Sequence, residues 1–278
     1  MPLIMGILNV TEDSFYDGGH YLSEEAVRRR AAQILEEGGD MIDIGAMSTR
    51  PDAKEIPEEE EKARIVRAVR LIREDYPEAI ISIDTYRAAV AEAAVEAGAD
   101  MINDISGGTF DSEMIPTVGR LQVPYCLMHT PAKPAVMQQH TNYQDILGEM
   151  LQFFGRQIAQ LHAHSVHDII LDPGFGFGKT VDENYVLLAE LERLQVLDLP
   201  VLVGLSRKSM IYKPLGITPG EALSGTTALH AVALMKGANI LRVHDVKDAV
   251  QTVRLYGLLR KSSAPPPTPN SQLLTPNS

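Results

Sequence analysis

Short apolar runs alternate along the chain with longer amphipathic stretches. Each apolar run has the length of a β-strand, and most are rich in Ile, Val and Leu. Their apolar character is continuous rather than alternating, which is typical of parallel strands covered on both faces. The predicted strands are Leu3–Val10, Met41–Met47, Ala79–Ile83, Met101–Ile105, Val123–Met128, Asp168–Leu171, Val201–Leu205 and Asn239–Val243.

The stretches between these runs carry helical patterns and helix-end signals. Ser23 is a plausible N-cap of the first, and Gly38-Gly39 follows its end. The second begins after Pro57 with the acidic run Glu58–Glu61, where the helix dipole favours negative charge. The predicted helices are Ser23–Glu37, Glu58–Asp75, Arg87–Ala97, Asp145–His164, Glu183–Leu194, Gly220–Lys236 and Val246–Lys261, with a weaker helical pattern at Asp111–Arg120.

Eight strands with intervening helices predict an α/β fold, a single (β/α)8 TIM barrel over residues 1–261. The length of 278 residues suits one such barrel, and no break in composition marks a second domain. A doubly wound open sheet is the structural alternative. The segment Ser262–Ser278 is rich in Pro, Ser and Asn and carries no charge. We therefore expect residues 262–278 to form a flexible C-terminal tail.

Composition limits the partners and the compartment. Hydrophobic residues make up 45% of the chain and charged residues 22%, which excludes disorder over most of its length. No apolar run has the length of a membrane span, and the N-terminus lacks the basic start of a secretory signal. Cys126 is the single cysteine and cannot form an internal disulfide, which favours the cytoplasm. The net charge of −12 argues against nucleic-acid binding and, taken globally, against an anionic substrate.

Polar and ionisable side chains collect where all eight predicted strands end. Ligands bind at this edge in parallel-sheet folds. One polar strand end would be ordinary, because strand ends become exposed, but eight together indicate a binding site. Asp and Asn oxygens accept from N–H groups and Lys donates, so this set can bind a flat heterocycle with a guanidine-like edge. The groups are Asn9, Ser48–Arg50, Asp84, Asn103-Asp104, His129, Asp172, Ser206–Lys208 and Arg242–Asp245.

Positive charge also falls at these strand ends. Arg242 and His244 are two residues apart, so on a strand their side chains would point the same way. With Lys208 on the neighbouring strand they form a candidate phosphate site. Acidic residues concentrate on the predicted outer helices, notably at Glu58–Glu61. Local cations, rather than the global charge, therefore decide whether an anion binds at the strand ends.

The glycine-rich segment Asp172–Thr180 resembles a nucleotide-binding loop only superficially. Pro173 stands where a P-loop requires glycine, and Lys179 stands where a dinucleotide fingerprint requires it. We expect its glycines to allow tight turns and a close approach to a ligand. Phe175 and Phe177 could wall a flat ligand or pack in the core. Zinc and serine-hydrolase chemistry are disfavoured, because a second Cys/His pair and a Gly-x-Ser-x-Gly elbow are both missing from the sequence.

Taken in order, the motifs resemble those of the dihydropteroate synthase family. That family is a (β/α)8 barrel that joins 6-hydroxymethyl-7,8-dihydropterin pyrophosphate to 4-aminobenzoate, giving 7,8-dihydropteroate and pyrophosphate for folate synthesis. The similarity covers about Met5 to Val246. Its segments are Met5–Gly19, Ser48–Pro51, Ile83–Thr85, Ile102–Asp104, Asp172–Lys179, Ser206–Met210 and Arg242–Val246.

The resemblance implies a role for each matching residue, with Mg²⁺ as cofactor and a homodimer as the assembly. The residues implied to take part in catalysis are Asn9, Asp84, Lys208, Arg242 and His244. Those implied to hold the pterin are Asp84, Asn103, Asp172 and Lys208. Those implied to bind pyrophosphate are Asn9, Arg242 and His244, with Asn9 also a ligand of Mg²⁺. Those implied to surround the aminobenzoate, where sulfonamides compete, are Thr49, Arg50, Pro51, Phe177, Lys208 and Ser209.

The chain departs from the usual family pattern mainly in the loops Thr11–Gly19 and Ala46–Glu55, which we expect to act as lids. The unusual residues there are Glu12, Tyr16, Ala46, Met47 and Asp52. They bear on turnover rate and sulfonamide sensitivity more than on pterin binding. Two alternatives stay open: an enzyme like the methyltetrahydrofolate–corrinoid methyltransferases, and a non-catalytic pterin-binding relative.

Overall fold

A computed structural model describes residues 1–10, 20–47, 56–139, 141 and 143–262. Its eight strands pair in parallel in the order β6-β5-β4-β3-β2-β1-β8-β7. A parallel bridge between Leu171 and Val201 brings the two edges of the sheet together, and the predicted (β/α)8 barrel is confirmed. The strands are β1 Leu3–Asn9, β2 Met41–Gly45, β3 Ile80–Asp84, β4 Met101–Asp104, β5 Tyr125–Met128, β6 Ile169–Asp172, β7 Leu202–Val203 and β8 Ile240–Val243.

The helices of the described residues cover the outside of the barrel. Three short 3-10 helices accompany them, at Met137–Gln139, Leu191–Leu197 and Pro219–Glu221. None of the described helices combines the length and the apolar character that crossing a membrane requires. The α-helices are α1 His20–Glu36, α2 Glu58–Asp75, α3 Ala88–Glu96, α4 Met114–Leu121, α5 Ile146–Ala163, α6 Val181–Ala189, α7 Ser209–Leu215, α8 Leu223–Met235 and α9 Val246–Ser262.

The sequence interpretation was wrong about the connection between β7 and β8. A single helix was predicted at 220–236, whereas α7 precedes it and α8 begins only at Leu223. The seven residues of α7 are too few to show a helical period, and the helix contains Pro214 and ends at Gly216, whose φ is 64°. The predicted strand at 201–205 is likewise reduced to Leu202–Val203. The predicted tail begins where α9 ends, and residues 263–278 lie outside the described part of the chain.

Side chains of alternate strand residues point into the barrel. At the amino ends of the strands these inward residues form a buried apolar layer, which closes that end of the barrel. Polar inward residues follow towards the carboxyl ends and form the floor of the candidate site. The apolar layer consists of Met5, Met41, Met101, Cys126, Leu202 and Ile240.

One residue of the acidic run in α2 does not face solvent as expected. Glu61 is fully buried. It accepts hydrogen bonds from Thr85 Oγ1 at 2.7 Å and from Arg87 Nη1 at 2.8 Å. Burial raises the pKa of Glu61, and these two partners oppose that shift. Glu61 therefore fastens α2 to the β3–α3 connection, whereas Glu58 and Glu59 are exposed as predicted.

Candidate active site

The register of the strands brings the predicted site residues into one inward-facing layer. Asn9 lies opposite Gly45, Gly45 opposite Asp84, and Asp84 opposite Asn103. Asp172 ends β6 and Arg242 lies in β8. The strand-end residues that are far apart in sequence are therefore neighbours around the mouth of the barrel, where ligands of this fold bind.

Arg242 lies at the centre of this layer, held between two carboxylates. Its Nε donates to Asp43 Oδ2 and its Nη2 donates to Asp84 Oδ2, both at 2.6 Å. Burial opposes the charge on Arg242, but Asp43 and Asp84 outweigh it and raise the pKa of the guanidinium. The sequence predicts Arg242 as an anion ligand; in the structure two of its nitrogens are already engaged inside the barrel.

The protonation of Asp84 depends on the groups around it. Burial raises its pKa to about 7, an effect that Arg242 opposes and Asp43 reinforces. Both protonation states of Asp84 are therefore populated in the ligand-free protein near neutral pH. A ligand that offers N–H donors or positive charge to Asp84 would favour ionisation.

Asn103 lies beside Asp84 and Asp43 in the same layer. The residue is buried, and its Nδ2 donates to Asp43 Oδ2 at 3.2 Å. Its Oδ1 is buried and has no hydrogen-bond partner among the described residues. Because a buried unpaired acceptor costs free energy, this oxygen indicates a place for a ligand N–H group.

Lys208 and Asp172 form the opposite side of the layer. Lys208 Nζ donates to the Phe175 carbonyl and lies 4.6 Å from the centroid of the Phe177 ring. Burial lowers the pKa of Lys208 to about 8, although Asp172 raises it. Asp172 Oδ1 accepts from the backbone N–H of Gly174 at 2.8 Å. Lys208 therefore offers a hydrogen-bond donor to a ligand, and the Asp172 carboxylate offers an acceptor.

The loop after β6 decides between the two roles considered for its phenylalanines. Phe175 is completely buried in the core, whereas Phe177 is partly exposed at the mouth beside Lys208. Lys179 is buried, and its Nζ donates to the carbonyls of Gly174 and Phe177 at 3.0 Å and of His129 at 3.3 Å. Lys179 therefore ties this loop to the end of β5 and holds Phe177 in place.

The glycines of this loop allow tight turns, as predicted. Their backbone, however, mostly lies close to other protein atoms rather than to a ligand space. Gly174 has a φ of 67°, and a Cβ there would lie 2.1 Å from the His129 carbonyl oxygen. A Cβ at Gly178 would lie 2.3 Å from Pro131. Only Gly176 approaches a site residue, since its Cβ would lie 3.1 Å from Lys208 Cδ.

The basic residues that follow β7 and β8 have different surroundings. Arg207 donates to both carboxylate oxygens of Asp245, at 2.8 and 2.7 Å, so its charge is neutralised away from the mouth. His244 is exposed at the rim, with Nδ1 3.0 Å from Ser206 Oγ. Ser209 follows Lys208 directly as the first residue of α7 and is half-buried.

Comparison with known proteins identifies the family. The sequence model of a family described as pterin binding enzyme matches residues 5–244. A dihydropteroate synthase of Synechocystis sp. is 44% identical over 261 residues, covering 92% of this chain and 89% of that protein. The chain belongs to the dihydropteroate synthase family. Members of this family are transferases of folate synthesis, and the resemblance noted in the sequence is confirmed.

Solved dihydropteroate synthases share the fold. A structure from Clostridium difficile, determined in the presence of pteroic acid, superposes with a TM-score of 0.87 at 37% identity, covering 93% of this chain and 96% of that one. A structure from Yersinia pestis in complex with a sulfonamide drug has the same TM-score at 39% identity and covers 94% of each chain. The barrel of this chain is therefore the barrel of the dihydropteroate synthase family.

Three residues of the candidate site were not predicted from the sequence. Asp43 lies inside an apolar run and is buried. An acidic residue in such a run could have been recognised as a site candidate, because a buried charge requires a partner. A Cβ on Gly45 would lie 3.4 Å from Asp84 Cβ and 3.7 Å from Asn9 Oδ1. A Cβ on Gly204 would lie 4.0 Å from Lys208 Nζ. The two glycines keep space open between the polar groups.

Part of the predicted aminobenzoate site lies outside the described residues. Thr49, Arg50 and Pro51 fall there, as do the predicted lid segment 11–19 and residues 48–55 of the second lid. Met47, which replaces the usual family carboxylate, packs with Phe177 against the cluster of Tyr86, Ile105 and Met128. Ala46 and Met47, the described residues of the predicted second lid, are therefore apolar.

The described residues fit Mg²⁺ only together with a phosphate ligand. They contain no group of three or more His, Cys, Asp or Glu side chains placed to hold a metal ion. Mg²⁺ commonly uses one or two protein oxygens and takes its remaining ligands from substrate phosphates and water. The side-chain oxygen of Asn9 suits this role, because it is a hard donor on an exposed residue at the carboxyl end of β1.

Proposed function

We propose that this chain condenses 6-hydroxymethyl-7,8-dihydropterin pyrophosphate with 4-aminobenzoate to give 7,8-dihydropteroate and pyrophosphate. The observation that carries the proposal is the inward-facing layer of Asp84, Asn103, Asp172 and Lys208, with Asn103 Oδ1 unpartnered among the described residues. The oxygens of Asp84, Asn103 and Asp172 can accept hydrogen bonds from the N–H edge of a flat pterin. Lys208 can donate to its carbonyl oxygen or ring nitrogens.

Arg242, His244 and Asn9 would hold the pyrophosphate. The C–O bond breaks and its electron pair leaves with pyrophosphate, so negative charge grows on the leaving group while the pterin carbon becomes positive. Cationic groups lower this barrier on the leaving side, and the Asp84 carboxylate stabilises the pterin cation. When bound through Asn9, Mg²⁺ would neutralise further charge on the leaving group.

The aniline nitrogen of 4-aminobenzoate would then form the C–N bond and lose its proton to the released pyrophosphate or to water. No strong general base is needed, because the weakly basic nitrogen attacks a cation. Phe177 and Ser209 offer an aromatic wall and a hydroxyl beside Lys208. With Thr49, Arg50 and Pro51, they would surround the aminobenzoate and exclude water, which would otherwise consume the cation. Sulfonamides would compete at the same place.

The same proposal includes a homodimer. Helices α8 and α9 pack side by side and expose large apolar side chains. These are Val232 and Met235 in α8, and Leu255, Leu258 and Leu259 in α9. Such a patch favours association with a second copy. Sedimentation should report a dimer that Leu255→Glu weakens, and a wild-type monomer would contradict this part. We also propose a cytoplasmic location, because Cys126 is buried and unpaired.

The test is to mix both substrates with Mg²⁺ and to measure dihydropteroate and released pyrophosphate in equal amounts. Asn9→Ala should reduce the rate sharply, with the fold retained as judged by circular dichroism. Methyl transfer from methyltetrahydrofolate to a corrinoid acceptor, without condensation, would instead support the methyltransferase alternative. Pterin binding in calorimetry without Mg²⁺-dependent aminobenzoate binding would support a non-catalytic relative.

A further inference from the structure

We propose that Asp43 is a positioning residue: its buried carboxylate fixes which face Asn103 and Arg242 present to the substrate. This inference rests on the proposed function and deepens it. Asp43 lies in the middle of β2 and is completely buried. A single oxygen, Oδ2, accepts from Arg242 Nε at 2.6 Å and from Asn103 Nδ2 at 3.2 Å. One carboxylate thus joins the implied pyrophosphate ligand to the implied pterin ligand.

The consequence for Asn103 follows from the chemistry of the two groups. The carboxylate oxygen that accepts from Arg242 Nε is an acceptor for Asn103 as well, so the NH₂ side of the amide faces Asp43. The carbonyl side, Oδ1, then points elsewhere and is buried without a partner among the described residues. Asp43 therefore makes Asn103 an acceptor towards the site, which is what an N–H edge of the pterin requires.

The consequence for Arg242 is similar. A guanidinium carries five N–H donors in a rigid plane. Asp43 takes Nε and Asp84 takes Nη2, so the plane is fixed and Nη1 has no partner among the described residues. The remaining donors are therefore held in a fixed plane, in which they can meet an anion. Asp43 and Asp84 together balance the buried positive charge of Arg242.

The experiment compares Asp43→Asn, Asn103→Ala, their combination, and the exchange variant Asp43→Asn with Asn103→Asp. An amide introduced at position 43 can turn and release Asn103, so Asp43→Asn should weaken binding of 6-hydroxymethyl-7,8-dihydropterin about 10- to 100-fold. The KM of the pterin substrate should rise, while that of aminobenzoate changes by about twofold or less. Calorimetry measures the first quantity and steady-state kinetics the other two.

Two comparisons distinguish positioning from a merely structural role. In the Asn103→Ala background, Asp43→Asn should weaken pterin binding by less than about threefold, because the amide that Asp43 orients has been removed. The exchange variant should recover pterin binding relative to Asp43→Asn, because the carboxylate introduced at position 103 again presents an acceptor and the buried charge is restored. If Asp43→Asn does not fold, pterin binding by the exchange variant still tests the positioning role.

The sequence groups Asp104 with the candidate site, but the alternation of β4 places its buried carboxylate on the opposite face of the strand from Asn103, so Asp104→Asn is the matched control. It should lower the melting temperature and leave pterin affinity unchanged well below that temperature. Wild-type affinity in Asp43→Asn, or an equal loss with and without Asn103, would overturn the positioning role. A wild-type chain that forms no dihydropteroate, but whose pterin affinity still depends on Asp43, would overturn the proposed function and leave this inference standing.

Discussion

Buried carboxylates lie on both sides of the barrel wall, and the two sides use them differently. On the outside, Asp104 accepts from Ser106 N, Ser106 Oγ, Gly108 N and Tyr125 Oη. On the inside, Asp43 Oδ1 is buried with no partner among the described residues, as is the Oδ1 of Asn103. Asn103 and Asp104 are adjacent in sequence, so the alternation of β4 alone sends one to each side.

The difference indicates what each side is for. A carboxylate whose oxygens are saturated by its own loop contributes to stability, because every hydrogen bond is made in the absence of ligand. Acceptors left open inside the barrel cost stability until a ligand meets them. For Asp43 and Asp104, which are both buried carboxylates, unused hydrogen-bonding capacity distinguishes the residue inside the barrel from the one outside.

The largest effect should come from the inside carboxylate that faces the developing cation. Asp84→Asn keeps the shape but removes the charge, so kcat/KM for dihydropteroate formation should fall about 10²- to 10³-fold. The fold should persist, because Arg242 retains Asp43. Steady-state kinetics and a thermal melt test both statements. A variant with near-normal turnover would break the distinction between the two sides.

Arg242→Ala should affect stability as well as turnover, unlike Asn9→Ala. Removing the guanidinium leaves Asp43 and Asp84 buried without their cation, which costs about 3–5 kcal/mol of unfolding free energy. Asn9 is exposed, so its replacement should cost less than about 1 kcal/mol. Urea denaturation compares the two. Equal stabilities would show that the inside ion pairs contribute nothing to folding.

The outside carboxylate should behave in the opposite way. Asp104→Asn disturbs a saturated network of four hydrogen bonds and should lower the unfolding free energy by about 2 kcal/mol. Turnover at 25 °C should stay within about twofold of the wild type, because Asp104 does not face the substrate. A selective loss of pterin affinity with unchanged stability would contradict the comparison.

The smallest expected effect is a pH dependence of kcat/KM that comes from Asp84 and Lys208, which lie on the inside of the barrel. With the pKa of Asp84 raised to about 7 and that of Lys208 lowered to about 8, kcat/KM should rise through about pH 7 and fall above about pH 8. Asp84→Asn should abolish the rising limb and Asp104→Asn should retain it. The folded protein also binds the Asp84 proton more tightly than the unfolded chain, so this group makes stability decrease between about pH 4 and pH 7.

Much of the barrel and the site was predictable because both depend on short-range patterns. Continuous apolar runs placed all eight strands, and the polar residue at each strand end placed Asp84, Asn103 and Asp172. The failures have physical causes. Helix α7 is too short to show a period, and the glycines at 45 and 204 act through the space they leave.

The sequence by itself determined that polar groups follow each strand of a parallel barrel, and its motifs identified the dihydropteroate synthase family. Only the tertiary structure decided how those groups pair. Asp43 meets Arg242, 199 positions away in the chain, because β1 alone separates β2 from β8 in the closed sheet. Arg207 turns to Asp245 while its neighbour Lys208 reaches the mouth. Burial and hydrogen-bond partners are properties of the packed barrel, and they decide which charges remain open to a substrate.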